Sequence, residues 1–187
     1  MPVGDGARTR RFEAVALPHL PAAYNLARWI CRNEADAADV VQEAVMRALQ
    51  YFDSYHGGDA RAWLLQIVRN SAHTWIGKNR LAGRVPLDEL ESDTATILEG
   101  RWSAANPGPE DPMTTVVAED EGARLRLAIA RLPLEQREVL ILREFEAMSY
   151  RQIAGITGCP IGTVMSRLSR ARDQLAQLVR GEQRALP

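Results

Sequence analysis

The sequence predicts an all-α protein, with two small helical domains joined by a flexible linker and a helix-turn-helix as the C-terminal domain. Three observations support this fold class. Apolar residues recur at spacings of three and four on both sides of the chain's midpoint, as on one face of a helix. Between these segments lies a stretch rich in acidic residues, with prolines at positions 86, 107, 109 and 112, which is typical of a linker. Near the C-terminus, two helical patterns flank a Thr-Gly break, as in a helix-turn-helix.

The distribution of charge divides the chain in a similar way. Residues 1–85 contain eleven Lys and Arg against eight Asp and Glu, residues 86–122 contain one against ten, and residues 123–187 contain eleven against six. The formal net charge of −1 therefore hides two basic flanks around an acidic centre. This pattern suits two DNA-contacting modules joined by a linker that does not bind phosphate. We predict an N-terminal domain over residues 1–85, a linker over residues 86–112 and a C-terminal domain over residues 113–187.

Three helices are predicted in the N-terminal domain, over Pro18–Asn33, Asp36–Gln50 and Trp63–Arg80. The second has the broadest apolar stripe, since Val40, Val41, Ala44, Val45, Ala48 and Leu49 all fall on it. Judged by its amphipathic pattern alone, it is a soluble helix whose outer polar residues need no partner. Those residues are Asp39, Gln42, Glu43 and Arg47.

The third helix follows a loop at Tyr51–Ala60, which contains two consecutive glycines. It interleaves basic and aromatic residues, a mixture that suits single-stranded DNA because bases stack on rings and phosphates meet cations. Trp63 and Trp75 are nevertheless predicted to be core residues, which is the more common role of such tryptophans. The polar residues of interest are Arg69, Asn70, His73, Lys78 and Arg80.

A short helix is predicted inside the linker, over Thr94–Trp102. After the linker, helices over Met113–Arg131 and Pro133–Phe145 are separated at Leu132-Pro133, because proline breaks a helix interior and suits a first turn. We expect these two helices to pack beneath the helix-turn-helix as its scaffold.

The helix-turn-helix begins at Ser149. Ser149 and Gln152 form the capping-box pattern of a helix start, and Gly158 supplies the left-handed conformation that ends a helix. A second helix is predicted to begin at Pro160. Its apolar residues recur at spacings of four and three and form one buried stripe, namely Val164, Leu168, Ala171, Leu175 and Leu178.

The opposite face of this second helix is small and polar. Small residues allow close approach to a groove, while hydroxyls and arginines reach base edges or phosphates. An isolated surface helix would look similar, but a capped first helix and a glycine turn beside it favour DNA binding. The face carries Gly162, Thr163, Ser166, Ser169, Arg170 and Asp173, with Arg167 and Arg172 on its two shoulders.

Several classes of protein receive no support. No apolar run approaches the length that crosses a bilayer, and no apolar segment follows the N-terminal arginines, so we expect neither membrane insertion nor a signal peptide. Cys31 and Cys159 lie far apart without metal-ligand spacing, as in a cytoplasmic protein. The three histidines are scattered, and phosphate-cradling loops and nucleophile motifs are lacking in the sequence. We therefore expect no catalytic residues, no metal and no cofactor.

One long segment resembles a known family. Leu132–Leu175, which reads LPLEQREVLILREFEAMSYRQIAGITGCPIGTVMSRLSRARDQL, resembles the promoter −35-reading region of extracytoplasmic-function RNA polymerase sigma factors. Asp36–Leu49 is similar to the helix with which these factors bind core RNA polymerase, and Trp63–Arg80 resembles their −10-reading and strand-opening region. The resemblance implies a factor that directs transcription initiation in a stress or envelope response, under the control of an anti-sigma factor.

The resemblance also implies roles for individual residues. Promoter DNA at −35 would meet Thr163, Ser166, Arg167, Arg170 and Arg172. The −10 element would meet Arg69, Asn70, His73, Lys78 and Arg80, with a flipped base held by Asn70 and the loop Tyr51–Ala60. Core polymerase would meet Asp39, Gln42, Glu43 and Arg47. Two departures from the family pattern are a thinned basic run after residue 77 and Met165, which stands where some relatives carry an arginine.

Two other functions compete with this one. A free-standing regulator would sense an effector through residues 1–85 and bind an operator as a dimer, although the sequence shows no evident dimer seam. A helical interaction module without any role on DNA is the second alternative. It would leave the face around Arg167 and Arg170 without a purpose.

Overall fold

The structure, a computed structural model, describes residues 4–81 and 122–184, and the regular structure within these residues is helical. The N-terminal part begins with a helix that the sequence did not predict, α1 (Gly4–Ala16). A 3-10 turn at Leu17–His19 follows it, and a second one at Phe52–Ser54 precedes the last helix of this part. The three predicted helices are α2 (Leu20–Cys31), α3 (Glu34–Gln50) and α4 (Ala60–Leu81).

The C-terminal part contains the scaffold and the helix-turn-helix. Its helices are α5 over residues 122–130, α6 (Leu134–Leu140), α7 (Tyr150–Thr157) and α8 (Ile161–Arg184). Helix α6 continues into one π-helical turn at Ile141–Phe145. The predicted linker over residues 86–112, its short helix Thr94–Trp102 and the first part of Met113–Arg131 lie outside the described residues.

Helix α1 is held by tertiary contacts rather than by an apolar stripe, which is why periodicity does not reveal it. Phe12 is 3% exposed and meets the ring of Phe52 edge-on, with ring centroids 5.4 Å apart. Arg8 pairs with Asp53 at 3.1 Å and donates to the carbonyl of Leu49 at 2.7 Å. These contacts fasten α1 to the end of α3 and the turn that follows it.

The turn between α2 and α3 is set by two residues. Arg32 ends α2 in the left-handed conformation, with φ of 57°. The side chain of Asn33 accepts hydrogen bonds from the backbone N–H groups of Ala35 at 2.8 Å and Asp36 at 3.2 Å. Asparagine is among the best N-caps, so α3 begins at Glu34, two residues before the predicted start.

The core is continuous through both parts of the described chain. Helices α2, α3 and α4 pack against one another, and α6, α7 and α8 form a second group. Fully buried members include Leu26, Val40, Ala44, Leu64 and Val68 in the first group, and Val139, Ile141, Ile153, Val164 and Ala171 in the second.

The two groups of helices are packed together, with α4 against α7 and α2 against α6. Glu146 lies at this contact and accepts from Asn25 at 2.6 Å and also from Arg61. Arg32 donates to the backbone carbonyl of Ala130. In the structure, therefore, the N-terminal and C-terminal helices form one body.

Arg137 is an unusual member of the C-terminal core because it is charged and only 2% exposed. Its Nη1 donates to the carbonyls of Ala130 at 2.8 Å and Leu132 at 3.1 Å, so it satisfies carbonyls at the end of α5. Removal from water lowers the pKa of this guanidinium, with the nearby Arg32 charge as the next cause.

Candidate nucleic-acid interface

The first helix of the helix-turn-helix is fixed at both ends by local signals. The Ser149 hydroxyl accepts from the backbone N–H of Gln152 at 3.3 Å, and the Gln152 side chain accepts from the backbone N–H of Ser149 at 2.7 Å. This is the predicted capping box. At the other end, Gly158 has φ of 69° and donates to the carbonyl of Ala154 at 2.9 Å, as predicted for a glycine cap.

The second helix, α8, begins one residue later than predicted. Pro160 stands just before it, and its carbonyl accepts from Thr163 at 2.9 Å and Val164 at 3.1 Å. The predicted buried stripe is confirmed, since Val164 and Ala171 are 0% exposed and Leu168 is 2% exposed. Leu175 and Leu178 are half-buried against the same core.

The outer face of α8 is open to solvent. The exposed members are Gly162, Ser166, Ser169, Arg170 and Asp173, while Thr163 is half-buried. The backbone carbonyl of Thr163 accepts from the Ser166 hydroxyl at 3.0 Å. Serines and an arginine on an exposed helix, with a glycine at its first turn, are the small and polar side chains that suit a DNA major groove.

The two shoulder arginines are paired with carboxylates of the scaffold, which the sequence did not predict. Arg167 contacts Glu135 at 2.5 Å and its side chain is 20% exposed. Arg172 contacts Glu144 at 2.6 Å, and this hydrogen bond raises the pKa of the guanidinium. These pairs hold both arginines beside the outer face, whereas Arg170 is exposed on the outer face itself.

Two large apolar side chains on α8 are also exposed. Ile161 is 44% exposed and Met165 is 53% exposed. They are four residues apart and therefore share one side of the helix. Their exposure sets them apart from Val164 and Leu168, which the same helix buries.

The residues predicted for the −10 element lie along α4, and two of them reach the C-terminal part. Arg69 contacts Glu138 at 3.2 Å, and His73 pairs with the other oxygen of the same carboxylate. Glu138 has a side chain that is 0% exposed. Asn70 and Lys78 are exposed. Arg80 lies within α4, and its side chain is outside the described residues.

The predicted loop before α4 is built on aromatic contacts. The Tyr55 ring lies 4.9 Å from the ring of Trp63, and its hydroxyl donates to the carbonyl of Gly58 at 2.9 Å. Gly57 and Gly58 have φ of 93° and 99°, values that glycine adopts readily. Trp63 and Trp75 are half-buried and pack against the core without being part of it, so their prediction as core residues is met only in part.

Asp59 closes this loop and caps α4. Its carboxylate accepts from the backbone N–H of Ala62 at 2.9 Å and also from the side chain of Gln152. The hydrogen bond from Ala62 is the main cause that holds the pKa of Asp59 below its ordinary value of 3.8. One carboxylate thus joins the start of α4 to the capping box of α7.

The residues predicted to meet polymerase lie together on α3. Asp39 and Gln42 are exposed, and Glu43 and Arg47 form an ion pair at 2.5 Å with half-exposed side chains. Met46 lies between them along the chain and is 63% exposed. Their spacing of three and four residues places them on one face.

Other kinds of site find no support in the part of the chain that the structure describes. Across residues 4–81 and 122–184, His, Cys, Asp and Glu nowhere gather in threes with a geometry suited to a metal ion. Among the same residues, every helix is too short or too polar to cross a membrane.

Comparison with known proteins agrees with these features. Residues 16–81 match the family model described as Sigma-70 region 2, and residues 122–175 match that of Sigma-70, region 4. The chain is 33% identical to the RNA polymerase sigma-H factor of Pseudomonas aeruginosa over 170 residues, covering 89% of this chain and 84% of that protein. It is 31% identical to the ECF RNA polymerase sigma factor SigE of Mycolicibacterium smegmatis over 174 residues, which is 92% of this chain but 63% of that relative.

A solved structure shares the fold. It is the sigma factor RpoE in complex with the anti-sigma factor NepR from Bartonella quintana, with a TM-score of 0.69, 29% sequence identity and coverage of 91% of this chain and 98% of that one. The capped helix-turn-helix, together with the matches to Sigma-70 regions 2 and 4, defines a helical transcription factor of the sigma-70 class. The chain belongs to the extracytoplasmic-function family of RNA polymerase sigma factors, which confirms the resemblance found in its sequence.

Proposed function

We propose that this sigma factor binds core RNA polymerase and directs it to promoters that it recognises at two elements. The observation that carries the proposal is the outer face of α8, where Ser166, Ser169 and Arg170 are exposed beside a buried stripe that fixes their direction. Family membership supplies the context, because sigma factors are transcription initiation factors.

For the −35 element, α8 lies in the major groove. Arg170 and Ser166 face the base edges, and Thr163 stands at the rim of the same face. Arg167 and Arg172 lie on either side of the groove, near the phosphates. Their pairing with Glu135 and Glu144 limits the rotamers that the two side chains adopt. A side chain that is already held loses less rotamer entropy when it binds.

For the −10 element, the polar side of α4 meets the non-template strand. Asn70 and Lys78 are exposed for this role, and Arg80 follows them along the helix. Arg69 and His73 are engaged with Glu138 while the two parts of the protein are packed together. We therefore propose that the domains separate on polymerase, with residues 86–112 as the connection, and that separation makes these two side chains available to DNA.

For polymerase, the docking surface is the face of α3 that carries Asp39, Gln42, Glu43 and Arg47. Three of these are charged and all four are at least half-exposed. The polymerase forms the phosphodiester bonds, so we assign the sigma factor no catalytic residue and no cofactor. We place it in the cytoplasm.

Control by an anti-sigma factor is also proposed, in a stress or envelope response. The related RpoE of Bartonella quintana has been solved in complex with one. In the packed arrangement described above, Glu138 pairs with Arg69 and His73, two of the predicted −10 residues. An anti-sigma factor would stabilise this form.

Transcription in vitro tests the proposal. Purified protein and bacterial core polymerase, supplied with a genomic template library, should give transcripts from a defined set of promoters that share a −35 element. The double variant Arg167→Ala/Arg170→Ala should lower this transcription by tenfold or more, since one good arginine contact to a base is worth roughly 1–3 kcal/mol. Its binding to core polymerase should be unchanged.

The matched control is Arg180→Ala, because Arg180 is exposed on the same helix, two turns beyond Asp173 at the end of the outer face. This variant should transcribe as the unmodified protein does. Loss of polymerase binding in the double variant would contradict the assignment of the two domains.

A further inference from the structure

The first two turns of α8 expose apolar surface at a place where the proposed function puts DNA. Ile161 and Met165 are 44% and 53% exposed. We call these two side chains the Ile161–Met165 strip. Their neighbours on the solvent side are Gly162, Ser166 and Ser169, all of them small and exposed, so the strip protrudes from its surroundings.

We propose that the Ile161–Met165 strip reads thymine in the −35 element, by contact with the C5-methyl groups in the major groove. This inference rests on the proposed function, since it requires that α8 occupies that groove. Among the four bases, only thymine carries an apolar group on its major-groove edge. An exposed aliphatic and a thioether side chain therefore have one natural target there, and they gain free energy by removing that methyl group from water.

The position of the strip on the helix supports this target. Arg172 lies on the same side of α8, two turns beyond Met165, and Arg170 lies on the other side of the outer face. A basic residue beyond the strip suits the phosphate backbone that borders the groove. Gly162 adds no side chain between the strip and Ser166, which permits a close approach of the helix to the base edges.

The chemistry of Met165 also favours methyl groups over polar base edges. Its flexible thioether fits irregular apolar surfaces, but it cannot donate a hydrogen bond and accepts one only weakly. We therefore expect A·T pairs beneath the strip, while Arg170 and Ser166 are left to read the hydrogen-bonding groups of neighbouring pairs. A protein partner of apolar character is the competing occupant, and the test below separates the two.

Replacement of thymine by deoxyuridine isolates the methyl group, because uracil differs from thymine only at C5. A promoter identified with the genomic library is synthesised with single thymines of its −35 element, on either strand, replaced by deoxyuridine. Transcription by full-length protein and core polymerase is then measured on each template. At one or two positions we expect initiation to fall about fourfold, the factor that corresponds to one buried methyl group.

Three variants assign the effect to the strip. Met165→Gln, of similar length but polar, should abolish the difference between the thymine and deoxyuridine templates at the position that Met165 contacts, and leave at most the position that Ile161 contacts. Met165→Leu, which conserves apolar volume, should keep the difference. Gln177→Ala, at an exposed position three turns further along α8, should also keep it.

The outcomes are distinct. Transcription that responds to the −35 sequence but to deoxyuridine at no position would overturn this inference alone. So would a methyl effect that persists unchanged in Met165→Gln, or a loss of core polymerase binding in that variant, which would mark the strip as a protein contact. If no promoter-directed transcription were found, the proposed function would be wrong, and this inference with it.

Discussion

Arg69 of α4 contacts Glu138 of α6 at 3.2 Å, across the junction of the two domains. The Glu138 carboxylate is completely buried and also pairs with His73. Both partners are residues predicted to meet the −10 element. Since one cation cannot serve a buried carboxylate and the promoter strand at once, packing of the domains and −10 contact through these side chains exclude each other.

Replacement of Glu138 by glutamine should open the packed form. It removes the negative charge that Arg69 and His73 share, and breaking a buried ion pair costs about 3–5 kcal/mol. We expect a larger radius of gyration for free Glu138→Gln than for the unmodified protein, as measured by small-angle X-ray scattering.

The control for this variant is Glu144→Gln. Glu144 also pairs with an arginine, Arg172, but both side chains are about half-exposed and lie within one domain. An exposed pair is worth roughly 0–1 kcal/mol, so the radius should not change. Equal radii for all three proteins would refute the role given to Glu138.

The proposed polymerase-docking face of α3 can be tested separately from DNA contacts. Asp39→Arg combined with Gln42→Ala changes two exposed side chains of that face. We expect affinity for core polymerase to fall roughly tenfold or more, the loss typical of an interface contact worth more than about 1 kcal/mol. Fluorescence anisotropy with labelled protein measures it, and Glu34→Gln, at the start of the same helix, is the matched control.

The capping box should contribute measurably to stability. Ser149→Ala removes the hydroxyl that accepts from Gln152, and loss of such a cap costs about 1 kcal/mol. The urea midpoint of unfolding should fall accordingly. Ser169→Ala, at an exposed position in the interior of α8, should leave the midpoint unchanged or raise it slightly, because alanine favours helix.

Asp59 gives a dependence of stability on pH with a definite sign. Its pKa in the folded protein lies below the ordinary value of 3.8, so its charge stabilises the fold above that value. The contribution is lost as the pH falls through the lower, folded value. The difference in unfolding free energy between the unmodified protein and Asp59→Asn should be constant from pH 5 to 7, as read from urea titrations. It should shrink below about pH 4, and a gap that widened instead would contradict the assignment.

The thiol of Cys31 should be inert in the folded protein. Burial, with a smaller contribution from the Asp36 charge, raises the pKa of this thiol to about 12, so very little reactive thiolate exists at pH 8. In Cys159→Ser, the remaining thiol should react with a disulfide reagent orders of magnitude more slowly before unfolding than after it. Equal rates in native buffer and in urea would show that Cys31 is accessible.

The parts of the fold that the sequence predicted are those with local causes. The start of α7 is set by the side chains of Ser149 and Gln152, and its end by the backbone preference of Gly158. The structure confirms all three. The stripe through Val164 and Leu168 follows from periodicity alone.

What the sequence did not reveal depends on residues that are distant along the chain. Periodicity says which face of a helix a carboxylate occupies but not which cation it meets, so the partners of Glu135, Glu138 and Glu144 could not be predicted. Helix α1 was missed for the same reason, since Arg8 and Phe12 hold it through contacts some forty residues away.

The left-handed end of α2 has a consequence for the balance between packed and separated forms. Glycine is the usual residue there, and an L-residue in this conformation costs roughly 1–2 kcal/mol, yet position 32 carries an arginine that reaches the carbonyl of Ala130. Arg32 therefore adopts a strained backbone conformation, and its side chain forms a hydrogen bond that exists only while the N-terminal and C-terminal helices are packed together. Arg32→Gly should therefore raise the stability of the N-terminal helices and weaken their packing against the C-terminal helices, two opposite effects of one substitution.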